Sequence, residues 1–192
     1  MDPLNIIAGF NILATFGANI SGAKLGLKSS LIAVKEKPKT YLQTLPMILS
    51  SMTLLALILG VFQVGTLEYE NQYENTRIYG LVVYILFSWI QIWAYKTLGS
   101  NYSQEILIFK EHKLVTGGPF KFVRHPQYVS QILLDLGGGI ATLSYIVIIL
   151  ALIEIPFIII RASFEEKLLS KNFKESFSDY KKRSGFMVPF IG

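Results

Sequence analysis

The sequence predicts an all-α membrane protein, an integral helical bundle of about five transmembrane helices with a polar cytoplasmic face and a C-terminal amphipathic helix. Three observations predict it. Of 192 residues, 52% are hydrophobic and only 16% charged, too apolar for an ordinary soluble domain. A hydrocarbon core about 30 Å thick needs roughly 20 helical residues, and the chain supplies four clear stretches of that kind and one marginal one. The only long polar stretch, Gly99 to Tyr128, lies between such segments. The expected organisation is one membrane-embedded domain over 1–192, with three spans in 1–98 and a polar loop, a helical hairpin and a C-terminal helix in 99–192.

The first span, about Leu4 to Ile20, is the marginal one. Asn5, Asn11 and Asn19 recur at roughly helical intervals among small residues, a composition better suited to packing on other helices than to lipid. Met1-Asp2-Pro3 lacks the basic leader of a cleaved signal peptide, so this span is expected to be retained. From Ser21 to Thr40 the chain carries Lys24, Lys28, Lys35, Lys37 and Lys39 against Glu36. The second span then runs from Tyr41 to about Val64, with Pro46 near its start. The following loop, Gly65 to Thr76, is acidic with Glu68, Glu70 and Glu74, so the charge contrast puts the lysine loop inside and the acidic loop outside. The third span, Arg77 to Leu98, has Trp89, Trp93, Tyr79, Tyr84 and Tyr95 as aromatic ends and stripe, and returns the chain to the cytoplasmic side.

Val129 to Thr142 and Ser144 to Ile160 are joined by little more than Leu143. Each is short for a lone span and reads as half of a tilted helical hairpin. Gly137-Gly138-Gly139 permits close helix packing or a break, and Pro156 should kink the last span. Beyond Arg161, Phe164, Leu168, Leu169, Phe173 and Phe177 alternate with Lys167, Lys171, Lys174, Lys181 and Lys182, a pattern expected to lie as a helix along the inner membrane face. This gives a multi-pass protein with its N-terminus outside and its C-terminus inside.

The net charge of +5 comes from basic residues flanking apolar segments, which reads as topology and gives nucleic-acid binding little weight. The absence of cysteine excludes disulfides, a catalytic thiolate, Cys-based metal sites and prenylation of the chain itself. No metal site is expected.

Two clusters could carry chemistry. Arg124-His125-Pro126-Gln127-Tyr128 sets a fixed cation, an imidazole and a phenol beside a proline suited to a helix N-terminus, a place to bind an anion or a polar cofactor. The plainer reading is a basic anchor at the membrane edge. The preceding His112-Lys113-Leu114-Val115-Thr116-Gly117-Gly118 favours the first, because glycines let backbone approach a ligand and Leu114 and Val115 offer apolar walls to a flat ring. In the second cluster Arg161 and Glu165, four residues apart, share a helical face, and Glu154 lies seven residues earlier on it. Arg161 with Glu165 could also be an ordinary snorkelling ion pair. Glu154 and Asp135 are functional hypotheses because they are ionisable at membrane depth, set against the reading that each merely hydrogen-bonds another span.

These residues, taken with Arg161-Ala-Ser-Phe-Glu165-Glu166-Lys-Leu-Leu, resemble the isoprenylcysteine carboxyl methyltransferase and phospholipid methyltransferase family of integral membrane enzymes. The resemblance covers about Gly99 to Ile191. It implies a cytoplasmic cofactor pocket in which His112, Lys113, Leu114 and Val115 hold the adenosine part of S-adenosyl-L-methionine, helped by Phe120 and by His125, Pro126, Gln127 and Tyr128. Glu165 would also face the cofactor and Arg161 the substrate, while Arg124 braces the cofactor's carboxylate side or the fold around it. Phe120 stands where the family usually has Tyr, so a hydroxyl bond is lost or replaced. Phe173-Lys174-Glu175-Ser176-Phe177 replaces a Phe-Gly…Tyr pattern, whereas Tyr180 and Pro189 keep their places. The glycine-rich strand-turn-helix of soluble methyltransferases is absent, since Gly137-Gly138-Gly139 follows no strand.

Methyl transfer from a sulfonium to a carboxylate needs no strong base. It needs alignment and exclusion of water, and Arg161 could orient the carboxylate through its planar fork. An amine or thiol acceptor would have to lose a proton, with Glu165, Glu166 or Tyr128 as candidates. The leading expectation is therefore methyl transfer from S-adenosylmethionine to a lipophilic acceptor, first the carboxylate of a prenylated cysteine. The alternatives are a phospholipid amine or a thiol acceptor, an NADPH-dependent sterol-type reductase, and a non-catalytic membrane scaffold or transporter.

Overall fold

The computed structural model describes the backbone of residues 2–29 and 33–192 and the side chains of residues 2–16 and 33–192. Among the described residues five α-helices make up the bundle: α1 (Pro3–Ser29), α2 (Leu45–Val61), α3 (Glu74–Leu98), α4 (Pro126–Ala141) and α5 (Tyr145–Lys181). Among the described residues three helical stretches, Tyr41–Val61, Asn71–Asn101 and Tyr145–Lys181, are long and apolar enough to cross a membrane. The fourth helix has 16 residues, about 24 Å at 1.5 Å per residue, and falls short of the hydrocarbon thickness by itself.

Helix α1 runs on to Ser29, so the polar loop expected from Ser21 starts later than the lysines alone suggested. The side chains of Asn19, Lys24 and Lys28 lie outside the described residues. An antiparallel strand pair, β1 (Val34–Glu36) with β2 (Ile108–Phe109), also interrupts the expected all-helical pattern. Strands this short leave no alternation to read.

Helices α1, α3 and α5 run one way and α2 and α4 the other. At one end Arg77 fastens three elements: its Nε donates to the carbonyl of Ala141, its other nitrogens reach both Asp2 carboxylate oxygens and Asn5 Oδ1, and its guanidinium lies 4.0 Å from the centre of the Tyr69 ring. Asn5 Nδ2 donates to the carbonyls of Gly60 and Val61 at the end of α2. Carbonyls in the last turn of a helix lack intrahelical partners and draw such donors.

Helices α3 and α4 approach closely through their glycines. A Cβ on Gly137 would lie 2.7 Å from the Tyr84 nitrogen, and one on Gly80 would lie 2.8 Å from the Ala141 nitrogen. The glycine run therefore serves packing and leaves α4 unbroken. Leu143, at φ 52°, turns the chain into α5, where Ser144 accepts from the Val147 nitrogen as the cap.

The last helix corrects two expectations. It stays helical through Pro156 and Arg161 for 37 residues, and its torsions leave the helical range only at Lys174. No glycine or proline stands between Pro156 and Gly185 to stop it. The apolar stripe expected to lie on the membrane face instead packs inward. Leu168 joins Leu42, Ile106 and Ile108 with Phe164, Leu169 and Phe173 against them, and Phe177 joins Ala94, Phe120 and Tyr180. The loops between helices supply the apolar partner that lipid was expected to supply.

Lys174, at φ 43° and ψ −114°, occupies a conformation open to glycine but strained for a side chain, at a cost of order 1–3 kcal/mol. It stands within the segment that replaces the family's Phe-Gly. Lys174→Gly should therefore raise the melting temperature by a few degrees, since 1 kcal/mol corresponds to roughly 2–4 °C in a chain of this size. A melting temperature unchanged or lowered in a thermal scan would remove the strain argument.

Candidate functional site

At the end of the bundle opposite Arg77, the loop 99–125, the start of α4 and the middle of α5 border, together with α1, α2 and α3, a cavity of about 540 Å³. It extends from His112, Leu114, Val115 and Phe120 past Tyr128, Arg161 and Glu165 to Ile12, Phe16, Leu54 and Ile58 between α1 and α2. One end is polar and looped; the other is walled by lipid-type side chains.

The polar end is built in three steps. The turn at Gly118, φ 57°, carries Phe120 into the core, where its carbonyl accepts from the Tyr180 hydroxyl at 2.6 Å. Asn101 Oδ1 accepts the Lys113 nitrogen at 2.8 Å, fixing the strand of loop that presents Leu114 and Val115. His112 lies against Phe109 and Phe173, with ring centres 5.9 Å and 5.8 Å away. Burial pushes its imidazole pKa below the ordinary value, so it is neutral near pH 7.

Pro126 is the first residue of α4 and His125 its cap. The His125 ring is buried, stacked on Tyr128 with centres 5.6 Å apart and edge-on to Phe186 at 5.2 Å. It sits between two carboxylates, Nδ1 3.9 Å from Glu165 and Nε2 3.5 Å from Glu166, and neither nitrogen makes a hydrogen bond. His112 Nδ1 and Gln127 Oε1 are likewise buried without a partner. Buried polar atoms left open in this way are where a ligand's donors and acceptors fit.

Tyr128, Glu165 and Arg161 form a connected group. The Tyr128 hydroxyl donates to Glu165 Oε1, and Arg161 Nε donates to the Tyr128 oxygen at 2.7 Å and to Glu165 at 3.3 Å. Arg161 also donates from Nη1 to the Leu42 carbonyl at 3.2 Å and from Nη2 to the Gln104 carbonyl. Its fork thus ties α5 to α4 and to two loops at once.

Two residues singled out from the sequence commit their charged groups to the fold. Arg124 turns its guanidinium into the fold: Nε donates to Glu166, and Nη1 reaches the carbonyls of Ser184 and, at 3.0 Å, Gly192. It edges the cavity, but its donors hold the segment after α5. Glu166, considered from the sequence as a proton acceptor, is bound by Arg124 and by Lys181 at 3.0 Å and is not in the cavity wall. Such a doubly paired carboxylate is a poor base. Pro126 also stays out of the wall and acts through the start of the helix. His112, Lys113, Leu114, Val115, Phe120, His125, Gln127, Tyr128, Arg161 and Glu165 all border the one cavity.

Deeper in, the sequence reading missed a relay. Gln91 Nε2 donates to Gln131 Oε1, and Gln131 Nε2 to Asp135 Oδ2, both at 2.6 Å. The signal was present, because Gln131 stands three residues after Tyr128 and four before Asp135 on one helical face. Across the cavity Ser50 donates to Glu154 Oε1.

A phospholipid methyltransferase family profile matches residues 75–176, more than half of the chain. Protein-S-isoprenylcysteine O-methyltransferase of Tribolium castaneum is 32% identical over 115 residues, covering 58% of this chain and 41% of that protein. Protein-S-isoprenylcysteine O-methyltransferase B of Arabidopsis thaliana is 30% identical over 116 residues, covering 59% of each. A solved structure of a eukaryotic intramembrane Ras methyltransferase, isoprenylcysteine carboxyl methyltransferase, shares the fold with a TM-score of 0.58 at 24% identity, over 76% of this chain and 52% of that one. The chain spans about half the length of the relatives it matches.

Proposed function

The chain belongs to the phospholipid methyltransferase family, and on that premise we propose that it transfers a methyl group from S-adenosylmethionine to a lipophilic acceptor, first the carboxylate of a prenylated cysteine. One observation carries the reading: a single cavity joins a polar, loop-built end to an apolar end between helices. A water-soluble donor and a membrane-borne acceptor can meet there with water excluded.

The residues present fit the cofactor. Leu114, Val115 and Phe120 offer apolar walls for a flat ring, and the open atoms of His112, His125 and Gln127 offer partners for its polar groups. When bound, S-adenosylmethionine would supply an electrophilic methyl on a sulfonium, so that the new bond from the acceptor oxygen gives a methyl ester and the broken carbon–sulfur bond leaves a neutral thioether. The chain's own part is positioning. Glu165 presents a carboxylate to the cationic reactant, held by Tyr128 and Arg161, and Arg161 supplies N–H donors for the acceptor carboxylate once those on Leu42 and Gln104 yield. A carboxylate is already ionised at neutral pH, so no residue need remove a proton. An amine or thiol acceptor would instead call on Glu165 or Tyr128.

The deciding experiment is ligand-dependent melting of the purified protein. S-adenosylhomocysteine at a hundred times its Kd should add about 2.7 kcal/mol, raising the melting temperature by roughly 5–10 °C, and radiolabelled S-adenosylmethionine should methylate N-acetyl-S-farnesylcysteine. A rise with NADPH instead would turn the reading to a reductase, and a rise with neither would favour a scaffold.

We place the cavity's polar end on the cytoplasmic side. Lys35, Lys37, Lys110, Lys121, Lys167 and Lys171 lie at that end, and the exposed Glu68, Glu70 and Glu74 at the other. Lys37→Cys should react with an impermeant maleimide only from the cytoplasm and Glu70→Cys only from outside. The opposite labelling inverts the assignment.

A further inference from the structure

The strand pair β1–β2 stops at a proline, and one side chain continues it. Glu36 pairs with Ile108, so the next rung of the antiparallel ladder would set residue 38 against residue 106. Pro38 has no N–H to give to the Ile106 carbonyl. Gln43 fills the gap. Its Nε2 donates to the Pro38 carbonyl at 3.0 Å and to the Ile106 carbonyl at 2.9 Å, and its Oε1 accepts the Ile106 nitrogen at 2.8 Å. The amide meets both backbone groups of Ile106 as a partner strand would, with both of its N–H donors and its oxygen engaged. The ion pair beside it, Lys37 with Glu105 at 2.7 Å, is 46% and 47% exposed and holds little in water. Gln43 is therefore the main polar fastening of this seam.

The two sides of that seam carry the two carbonyls on the terminal nitrogens of Arg161. Leu42, the neighbour of Gln43 in the single helical turn Tyr41–Gln43, accepts from Arg161 Nη1 at 3.2 Å. Gln104, two residues before Ile106, accepts from Nη2. We propose that Gln43 is a positioning residue for methyl transfer: it fixes the spacing of the Leu42 and Gln104 carbonyls, and through them the orientation of the Arg161 fork. The proposal rests on the acceptor reading above, in which that fork takes the acceptor carboxylate, and adds the residue that aims it. In-line transfer depends on alignment to within about an ångström, and a guanidinium aimed by two carbonyls is only as steady as the backbone that carries them. Gln43 does not border the cavity, so it acts on the acceptor through Arg161 and not by contact. The cofactor end has fastenings of its own, the Lys110 nitrogen on the Ala33 carbonyl at 2.9 Å and Asn101 on Lys113.

Gln43→Glu keeps the length and the acceptor, but when ionised it has no donor and turns a negative charge on the Pro38 and Ile106 carbonyls. The full chain in lipid nanodiscs is assayed for methyl transfer to N-acetyl-S-farnesylcysteine, for S-adenosylhomocysteine affinity, and for the rate at which phenylglyoxal modifies each arginine, read by mass spectrometry. The expected result is a kcat/KM for the acceptor lower by about tenfold or more, with the Kd of S-adenosylhomocysteine changed by less than about threefold. In an Arg161→Lys background the same substitution should lower kcat/KM by less than about threefold, because a residue that acts through the fork has nothing to aim once the fork is gone. Phenylglyoxal should modify Arg161 several-fold faster in Gln43→Glu, while Arg124, held by other carbonyls, keeps its wild-type rate. Near-normal turnover overturns the proposal, and so do equal losses of turnover and cofactor affinity, an undiminished loss in the Arg161→Lys background, or an Arg161 rate that is unchanged or rises together with that of Arg124. If the wild type methylates no prenylcysteine analogue, the acceptor reading fails by itself, and the arginine rates decide Gln43: a rise confined to Arg161 upholds its hold on the fork, and any other pattern overturns it. Should Gln43→Glu not fold, Gln43→Met is read by the same criteria.

Discussion

Glu166→Ala should lower the melting temperature of the purified protein by roughly 6–20 °C, because removing one partner of a buried ion pair costs about 3–5 kcal/mol and each kcal/mol moves a chain of this size by about 2–4 °C. The Arg124 side chain is 2% exposed and that of Glu166 10%, so the abandoned guanidinium has little access to water. The loss spreads, since Arg124 also holds the carbonyls of Ser184 and Gly192 and its own backbone nitrogen donates to Gly185 at 2.8 Å. Releasing Arg124 therefore loosens the segment that places Phe186 against His125. The double variant Arg124→Leu with Glu166→Leu should melt above Glu166→Ala, because no uncompensated charge remains inside. A base at position 166 would behave in the opposite way: turnover would collapse in Glu166→Ala while melting changed little. That outcome would sink the structural assignment.

The pair also marks what the sequence could and could not reveal. Glu165 and Glu166 are adjacent, carry identical chemistry and stand on a helix, where neighbours point about 100° apart. One faces Tyr128 and the cavity, the other Arg124 and Lys181, and nothing in the string Glu-Glu says which. The helix faces themselves were legible, because apolar periodicity is a local property. Tyr128, Gln131 and Asp135, like Glu154, Arg161 and Glu165, fall on shared faces by counting alone. Family motif and periodicity together picked out ten residues that border the cavity, but not the loop stretch 101–108 that borders it too. What they missed came from long-range partners. The stripe Phe164, Leu168, Phe173 and Phe177 is apolar whether its partner is lipid or protein. Only the fold reveals Leu42, Ile106 and Phe120 against it. The strand pair β1–β2 joins residues more than seventy apart in the chain, and Arg77, which read as the edge of a span, proved to be the clamp of the opposite end.

Arg161→Lys should reduce kcat/KM for a prenylcysteine substrate at least tenfold, about 1.4 kcal/mol of transition-state stabilisation. The change keeps the charge and most of the length. What it removes is the planar fork, and here the fork has four acceptors set around it: the Tyr128 hydroxyl, Glu165 Oε1 and the carbonyls of Leu42 and Gln104. A lysine ammonium has three donors on a single atom and cannot span that spread. Either Tyr128 and Glu165 lose their brace or the loop carrying Gln104 does, and no donor remains to swing onto an incoming carboxylate. Affinity for S-adenosylhomocysteine should change much less, because Leu114, Val115, Phe120 and His125 are held by contacts that do not involve Arg161: Tyr180 on the Phe120 carbonyl, Asn101 on Lys113 and Phe186 on His125. The split between the two measurements is the informative part. A fall in acceptor turnover with near-normal cofactor binding places Arg161 on the acceptor, whereas equal losses in both make it a general brace of the site. Near-normal turnover in the lysine variant would reduce it to a membrane-edge cation, since an anchor needs only charge and reach, and lysine has both.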